Sequence, residues 1–405
     1  MPPDNSTLVP SGRVLLPLVL AALFEPAAWA WLGWVWFTRP DAAGPGWYGQ
    51  ADLLVGVHLL TVGTLTLSLL GASWQLASVA GARPWPRWTP APWINAAVLL
   101  SLPGFYLGLA RPGVGTIAAF ALVAALALRA GLLLVQLRGG IRPIVRAWLA
   151  AAELCLLAGL VIAGMLWGAR AGLWSGLDSY SLVHRHAALL LGGWVGGWVI
   201  GIGSLLLPMF ALGTEPDPRC MAASGILYFA GIATMNAPLW AAGTLLAIGL
   251  LAYSLLRALH RGPSLTQAGA GLTGIAAAVA LLPFLPGDQA LTVGLVLGLL
   301  PLLRGVAQRI VPFFLWNALL ARDSSRAPPA ASLLSARWVP WQTAASLLGG
   351  AGVVAGRLGW SGWGRVGALL ALVGAIGHLA LLLTAYTRAR AARARADIIP
   401  GMEVQ

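Results

Sequence analysis

The stretch 113-GVGTIAAFALVAALALRAGLLLVQL-137 carries one charged side chain, Arg129, and has no polar face along its length. Read as a helix it is apolar all round, which in water would be untenable and in a bilayer is the ordinary state of a spanning segment. About 20 apolar residues rising ~1.5 Å each cross a hydrocarbon core of roughly 30 Å. Working outward in both directions, stretches of the same kind recur over 14–37, 51–79, 92–111, 147–169, 184–213, 220–236, 238–258, 266–285, 289–320, 338–357 and 364–387. Together with 113–137 they predict an all-α polytopic bundle of about twelve transmembrane helices.

Composition agrees. The chain is 59% hydrophobic and 9% charged, against ~45–50% and ~25% in soluble domains, and its mean hydropathy is +0.82. No polar stretch is long enough for a soluble domain. The 405 residues therefore read as one transmembrane domain, with a short cytoplasmic N-terminus over 1–13 and a basic cytoplasmic tail over 388–405. The first span is expected to stay as an anchor, since no small-residue cleavage site closes a short apolar region. Cys155 and Cys220 form neither a CxxC pair nor a disulfide framework.

All 25 Lys and Arg residues are arginine, and the formal net charge is +13. Topology accounts for this without nucleic acid as a partner. With the N-terminus inside, the inner connections hold Arg83, Arg87, Arg138, Arg142, Arg146, Arg219, Arg257, Arg261, Arg322, Arg326 and Arg337. The tail adds Arg388, Arg390, Arg393 and Arg395, while the opposite connections are poorer. The positive-inside rule then predicts both termini in the cytoplasm. Interfacial tryptophans such as Trp93 mark the bilayer edge, and the tail is expected to meet anionic lipid.

A faint internal repeat runs through this pattern. Residues 60–63 read LTVG in the second span, and 291–294 read LTVG in the tenth. Leu206-Leu207-Pro208-Met209-Phe210 closes the sixth span, and Ile310-Val311-Pro312-Phe313-Phe314 occupies the matching part of the tenth. Spans two, six and ten are each four spans apart, which predicts three pseudo-symmetric arcs of four helices. Inverted transporter halves would show a different spacing.

The five histidines are His58, His184, His186, His260 and His378. Ionisable groups at membrane depth are costly and mark functional candidates. His58, His184 and His186 fall toward the outer end of spans two and six. One histidine from each of two helices can clamp an iron between them. The bland alternatives are an interfacial polar residue for His184 and His186, and a carbonyl-bonded imidazole for His58. Residues two apart on a helix point about 200° apart, so His184 and His186 are expected to face different ways. Arg185 between them can neutralise carboxylates or anchor at the interface. His260 reads as a solvated loop residue, whereas His378, mid-span, is open between ligand and structural group.

Several buried charges need partners. Arg129 and Glu153 lie at matching depth on consecutive spans and are expected to pair. Glu25 lies near mid-membrane before Pro26 without a local partner, and Arg304 can bind an anion. A second reading takes Glu25, Arg304 and His378 as lining the path of a proton-coupled transporter.

A histidine followed by LTVG and then Gly71-Ala72-Ser73-Trp74-Gln75-Leu76, with His184-Arg185-His186 leading into a Gly/Trp-rich helix that ends Leu-Leu-Pro-Met-Phe, resembles bacterial membrane proteins distantly similar to haem-copper oxidase subunit I. It is also similar to NnrS-type haem and copper membrane proteins of nitric-oxide response. The resemblance implies b-type haem held by His58 and His186, work in electron transfer or nitric-oxide handling, and a redox partner. A non-catalytic subunit of a respiratory complex would keep the same bundle. The chain departs from the oxidase pattern where it matters for copper: the tenth span opens Asp288-Gln289-Ala290 where a histidine pair is expected, and the copper-binding stretch of span six is missing. Proton-pumping oxygen reduction is therefore not expected.

Overall fold

The computed structural model describes residues 11–39, 50–81, 90–111, 113–138, 142–176, 178–211, 214–258, 289, 292–320, 328–335 and 337–398. Over these residues the chain is helical with no strand. We number the helices α1 (Ser11–Thr38), α2 (Ala51–His58, Leu59–Thr66 and Leu67–Gly81), α3 (Ala91–Ala110), α4 (Thr116–Gln136), α5 (Pro143–Arg170), α6 (Ser179–Ala187, Ala188–Gly196 and Gly197–Ala211), α7 (Pro218–Thr234), α8 (Ala237–Ala258), α9 (Gly294–Leu299 and Leu300–Leu320), α10 (Trp338–Arg357) and α11 (Ser361–Ile398).

Among the described residues nine of these helices are long and apolar enough to cross a membrane, and α7 and α10 are the two that are not. The first of the two packs along α8, the second along α11. The expected span at 266–285, His260 and Asp288 lie outside the described residues.

Local sequence sets the helix ends. Asp178 and Asp217 cap α6 and α7, their carboxylates accepting from the backbone N–H groups of Tyr180 and Ser181 and of Arg219 and Cys220. Pro143 and Pro218 sit in first turns, where no N–H is missed. The short link between α10 and α11 contains Gly359 at φ 109°, a left-handed conformation that suits glycine. This link folds α11 back on α10 as a hairpin, and glycines let the two backbones touch. A Cβ at Gly349 would lie 2.3 Å from the Ala371 nitrogen, and one at Gly367 would lie 2.3 Å from that of Val353. Small residues at a helix crossing are how membrane bundles gain van der Waals packing when lipid is as apolar as the protein.

Three helices form the centre. Apolar spans of α2, α6 and α9 are 61%, 78% and 67% buried, against 33% to 44% for the other six. The same three each contain a π-helical stretch, at Leu59–Thr66, Ala188–Gly196 and Gly294–Leu299. A π turn widens the helix and releases carbonyls from the usual i→i−4 ladder. In α2 the hydroxyls of Thr64 and Thr66 donate to the carbonyls of Leu59 and Thr61. In α6 the Tyr228 hydroxyl of α7 donates to the Gly192 carbonyl at 2.7 Å, in space that a Cβ at Gly196 would fill. Tryptophans 93, 338, 341 and 360, near helix ends, are exposed, as interfacial anchors should be.

The α10–α11 contact makes a direct prediction. Gly349→Val should lower stability in detergent by about 1–3 kcal/mol through overpacking. Gly131→Ala, mid-helix with open space around it, should raise it by ~0.4–1 kcal/mol. Thermal denaturation followed by circular dichroism reads both.

Candidate functional site

One cavity of about 630 Å³ opens among α1, α2, α3, α4, α5, α6, α9 and α10. Its size falls within the ~300–1,000 Å³ of cofactor and small-molecule sites. All three π-helical stretches contribute to its wall: Thr61 and Val62 from α2, Leu191 and Trp194 from α6, Leu295 and Val296 from α9. Trp29 and Trp36 of α1 and Phe105 and Trp167 flank them, the last two stacked with centroids 5.7 Å apart. The lining is overwhelmingly apolar, and His58, His184, His186, Tyr180, Arg170 and Arg357 are its main polar members.

The histidine geometry is the informative part. His58 Nδ1 is 2.8 Å from the Leu54 carbonyl, His184 Nδ1 is 2.8 Å from the Tyr180 carbonyl, and His186 Nδ1 is 3.2 Å from the Gly159 carbonyl of α5. A carbonyl can only accept, so each Nδ1 carries the proton when the ring is neutral. Nε2 is then left with its lone pair. That is the tautomer of a histidine prepared to bind a metal through Nε2, and a carbonyl behind Nδ1 is the usual device for orienting such a ring. Helices α2 and α6 bring His58 and His186 to the same cavity, and their π stretches pack against each other. Phe105 meets the His58 ring edge to face at 5.6 Å.

Asp178 fixes the start of the helix that carries His184 and His186. The Ser181 backbone N–H, with help from Tyr180, holds the exposed Asp178 carboxyl below the ordinary carboxylate range. A depressed folded-state value means that this cap stabilises above the unfolded pKa, and the stability is lost as pH falls through the lower folded value.

Arg170 donates from Nη2 to the Leu109 carbonyl at 2.8 Å and lines the cavity, as does Arg357. Neither stands out in sequence, because an arginine at a span end reads as a topology signal. Behind the wall lies a second polar structure. Arg129 and Glu153 are fully buried and bonded at 2.9 and 3.0 Å, the pairing expected from their depth. The Trp198 and Trp194 indoles donate to Glu153 Oε1 at 2.6 and 3.3 Å, and the Arg129 guanidinium lies 5.5 Å from the Trp194 ring centroid. Trp194 therefore joins the ion pair to the cavity.

Three expected site residues are found elsewhere. Arg304 gives its guanidinium to Glu25, with Nε 3.1 Å from Oε2 and Nη2 closer to Oε1, and lines no part of the cavity. The anion it binds is thus a carboxylate of the same chain. His378 is buried away from the cavity, its Nδ1 3.4 Å from the Gln308 amide nitrogen. Arg185 is exposed. His184 and His186 were expected to diverge, yet both line the one cavity, which is wide enough to wrap two sides of the first turns of α6. Among the described residues no three His, Cys, Asp or Glu side chains gather as a metal-binding group.

No known family model matches the chain, and no curated protein is significantly similar to it.

The buried ion pair behind the wall gives a stability prediction. Glu153→Ala strands Arg129 as a buried charge and should cost about 3–5 kcal/mol, whereas the double replacement Arg129→Met/Glu153→Leu should recover most of that loss. Melting temperatures in detergent of the single and double variants would test this.

Proposed function

We propose that the cavity holds a b-type haem, with His58 and His186 as axial ligands, and that the protein handles electrons or a small diatomic gas such as nitric oxide at the outer side of a bacterial inner membrane. The observation that carries this reading is the pair of cavity histidines on two packed helices, each with Nδ1 tied to a carbonyl and Nε2 left as a donor atom. Only two such groups are needed for axial ligation, so the reading requires no larger ligand cluster.

The rest of the lining suits the same occupant. A haem has a broad apolar body and two carboxylates. Aromatic and aliphatic side chains line most of the cavity, and Arg170 and Arg357 offer positive charge where α5 and α10 end. Once bound, haem would supply a one-electron redox centre or a gas-binding iron. The chain's contribution is to orient two imidazoles, exclude water with Trp29, Phe105 and Trp194, and neutralise carboxylates. His184, with the same tautomer, is the alternative ligand on α6. Similarity to haem-copper oxidase subunit I and NnrS-type proteins fits this reading.

The finer architecture follows the same lines. Three central helices, each four predicted spans apart and each with a π stretch against one cavity, support three arcs of four helices and twelve spans. Among the described residues Arg138, Arg142, Arg146, Arg219, Arg388, Arg390 and Arg393 stand at or beyond the helix ends opposite the cavity, which supports termini inside and the cavity outside. A membrane or periplasmic redox partner would then reach the cavity from that side.

The test is an absorption spectrum of protein purified after expression with ample haem. A Soret band is expected in the wild type and in His378→Ala, and it should be lost or strongly shifted in His58→Ala and in His186→Ala. Loss in His184→Ala with retention in His186→Ala would move the ligand two residues. A wild type with no Soret band overturns the reading.

A further inference from the structure

A second polar assembly lies beyond the floor of the cavity. Glu25 sits one turn from the cavity residue Trp29 on α1, and Arg304 follows the cavity residues Leu295 and Val296 on α9. Gln308, one turn further along α9, donates from Nε2 to Gln342 Oε1 of α10 at 2.8 Å and faces His378 Nδ1 of α11. Gln342 in turn donates to Ser346 Oγ at 2.8 Å and to the Gly374 carbonyl at 3.1 Å. All of these side chains are buried. Since α10 begins at Trp338, Gln342 is about 6 Å from the helix end opposite the cavity. The row thus runs from just below the cavity floor to about one turn from the start of α10, the helix end away from the cavity.

Its hydrogen-bond direction is fixed at one end. The Gly374 carbonyl only accepts, so the Gln342 amide must point its nitrogen there and its oxygen at Gln308. Gln308 must then point its nitrogen at both Gln342 and His378, and His378 Nδ1 must accept. His378 is therefore neutral, with its proton on Nε2, the reverse of the three cavity histidines. The ring can gain and lose a proton at Nδ1 when the Gln308 amide moves off it, its bond to Gln342 kept. Among the described residues the charged groups that act on His378 are Glu25 from α1 and Arg304 from α9. From α10 the neutral Ser346 and Gln342 pack on Gly374 and Gly377, its neighbours on α11.

Prolines add acceptors along this row. Pro26 cannot donate to the Ala22 carbonyl, and Pro312 cannot donate to that of Gln308. Released carbonyls at membrane depth are satisfied by polar side chains or ordered water. A packed apolar core would serve stability better than such a chain of buried amides and ions, because each buried polar group must recover its desolvation cost.

We propose that Glu25, Arg304, Gln308, Gln342 and His378 form a proton path between the far membrane face and the cavity floor, with His378 and Glu25 as its proton carriers. A proton entering past Gln342 converts the His378 imidazole to imidazolium as the Gln308 amide moves off Nδ1 while still donating to Gln342. Its departure toward the Glu25 carboxylate, or a water beside it, restores the neutral ring. Only N–H and O–H bonds form and break, and no oxidant or reductant is needed. The proposal is independent of what occupies the cavity.

The test is proton flux in vesicles of phosphatidylethanolamine and phosphatidylglycerol with a trapped pH dye and a potassium diffusion potential set by valinomycin. Protein prepared with and without added haem is used, so the result stands apart from the absorption spectrum. Wild type should acidify or alkalinise the lumen several-fold faster than protein-free vesicles. His378→Gln keeps hydrogen-bonding capacity but cannot titrate, and it should fall to the protein-free level while retaining wild-type gel-filtration behaviour and helical content. Gln308→Leu, which cuts the row without removing a carrier, should fall likewise. Wild type no faster than empty vesicles, or a folded His378→Gln as fast as wild type, overturns the proposal.

Discussion

The constraint on which this structure depends is the dryness of the hydrocarbon core. Each polar group placed there must find its partner within the chain. Among the described residues the large polar investments of the bundle are all of this kind: Arg129 with Glu153, Arg304 with Glu25, and amides with carbonyls. These groups occupy helices that are otherwise continuous runs of Leu, Val, Ala and Gly. Because apolar packing against lipid discriminates weakly between arrangements, polar pairs and close glycine contacts do much to specify which helix lies against which. Glu153 illustrates the density of such specification, gathering one guanidinium and two indoles from α4 and α6 onto one carboxylate of α5.

The same constraint explains how one residue type acquires two chemistries. A buried neutral imidazole must spend one nitrogen on a donor and the other on an acceptor. In α2 and α6 the partner of Nδ1 is a carbonyl, so Nε2 carries the lone pair of the neutral ring. On α11 the partner is an amide nitrogen at the end of a chain whose direction a carbonyl fixes, so the remaining nitrogen is a donor. The backbone thus puts a carbonyl against Nδ1 of His58, His184 and His186, whereas an amide nitrogen stands against Nδ1 of His378. Spacing along the chain carries no trace of this distinction.

Much of the fold was legible because a bilayer sets so simple a requirement. Apolar length located most of the described helices to within a few residues, as for α4, read at 113–137 and found at Thr116–Gln136, whereas α11, read as ending at 387, runs on to Ile398 through arginines that apolar length could not include. Equal depth on neighbouring spans was enough to pair Arg129 with Glu153. The helices read as spans two, six and ten are the most buried of the nine apolar ones described, and each contains a π stretch. What could not be read was any contact between helices distant in sequence. Glu25 and Arg304 are 279 residues apart, and nothing local to either foretells the other. Arg170 and Arg357 were hidden for another reason: at span ends their topological and their binding roles use the same residue.

Position relative to the π stretches links the two polar systems. On α9 the widened segment faces the cavity, and one turn later the helix returns to regular geometry and presents Arg304 and then Gln308 at i and i+4. On α1, Trp29 meets the cavity and Glu25, one turn away beside Pro26, meets Arg304. The Glu25–Arg304 pair bridges the two helices. A bidentate ion pair in a dry interior resists lateral displacement. It therefore ties α1 to α9 at the level between the cavity and the row of amides that ends at Gln342.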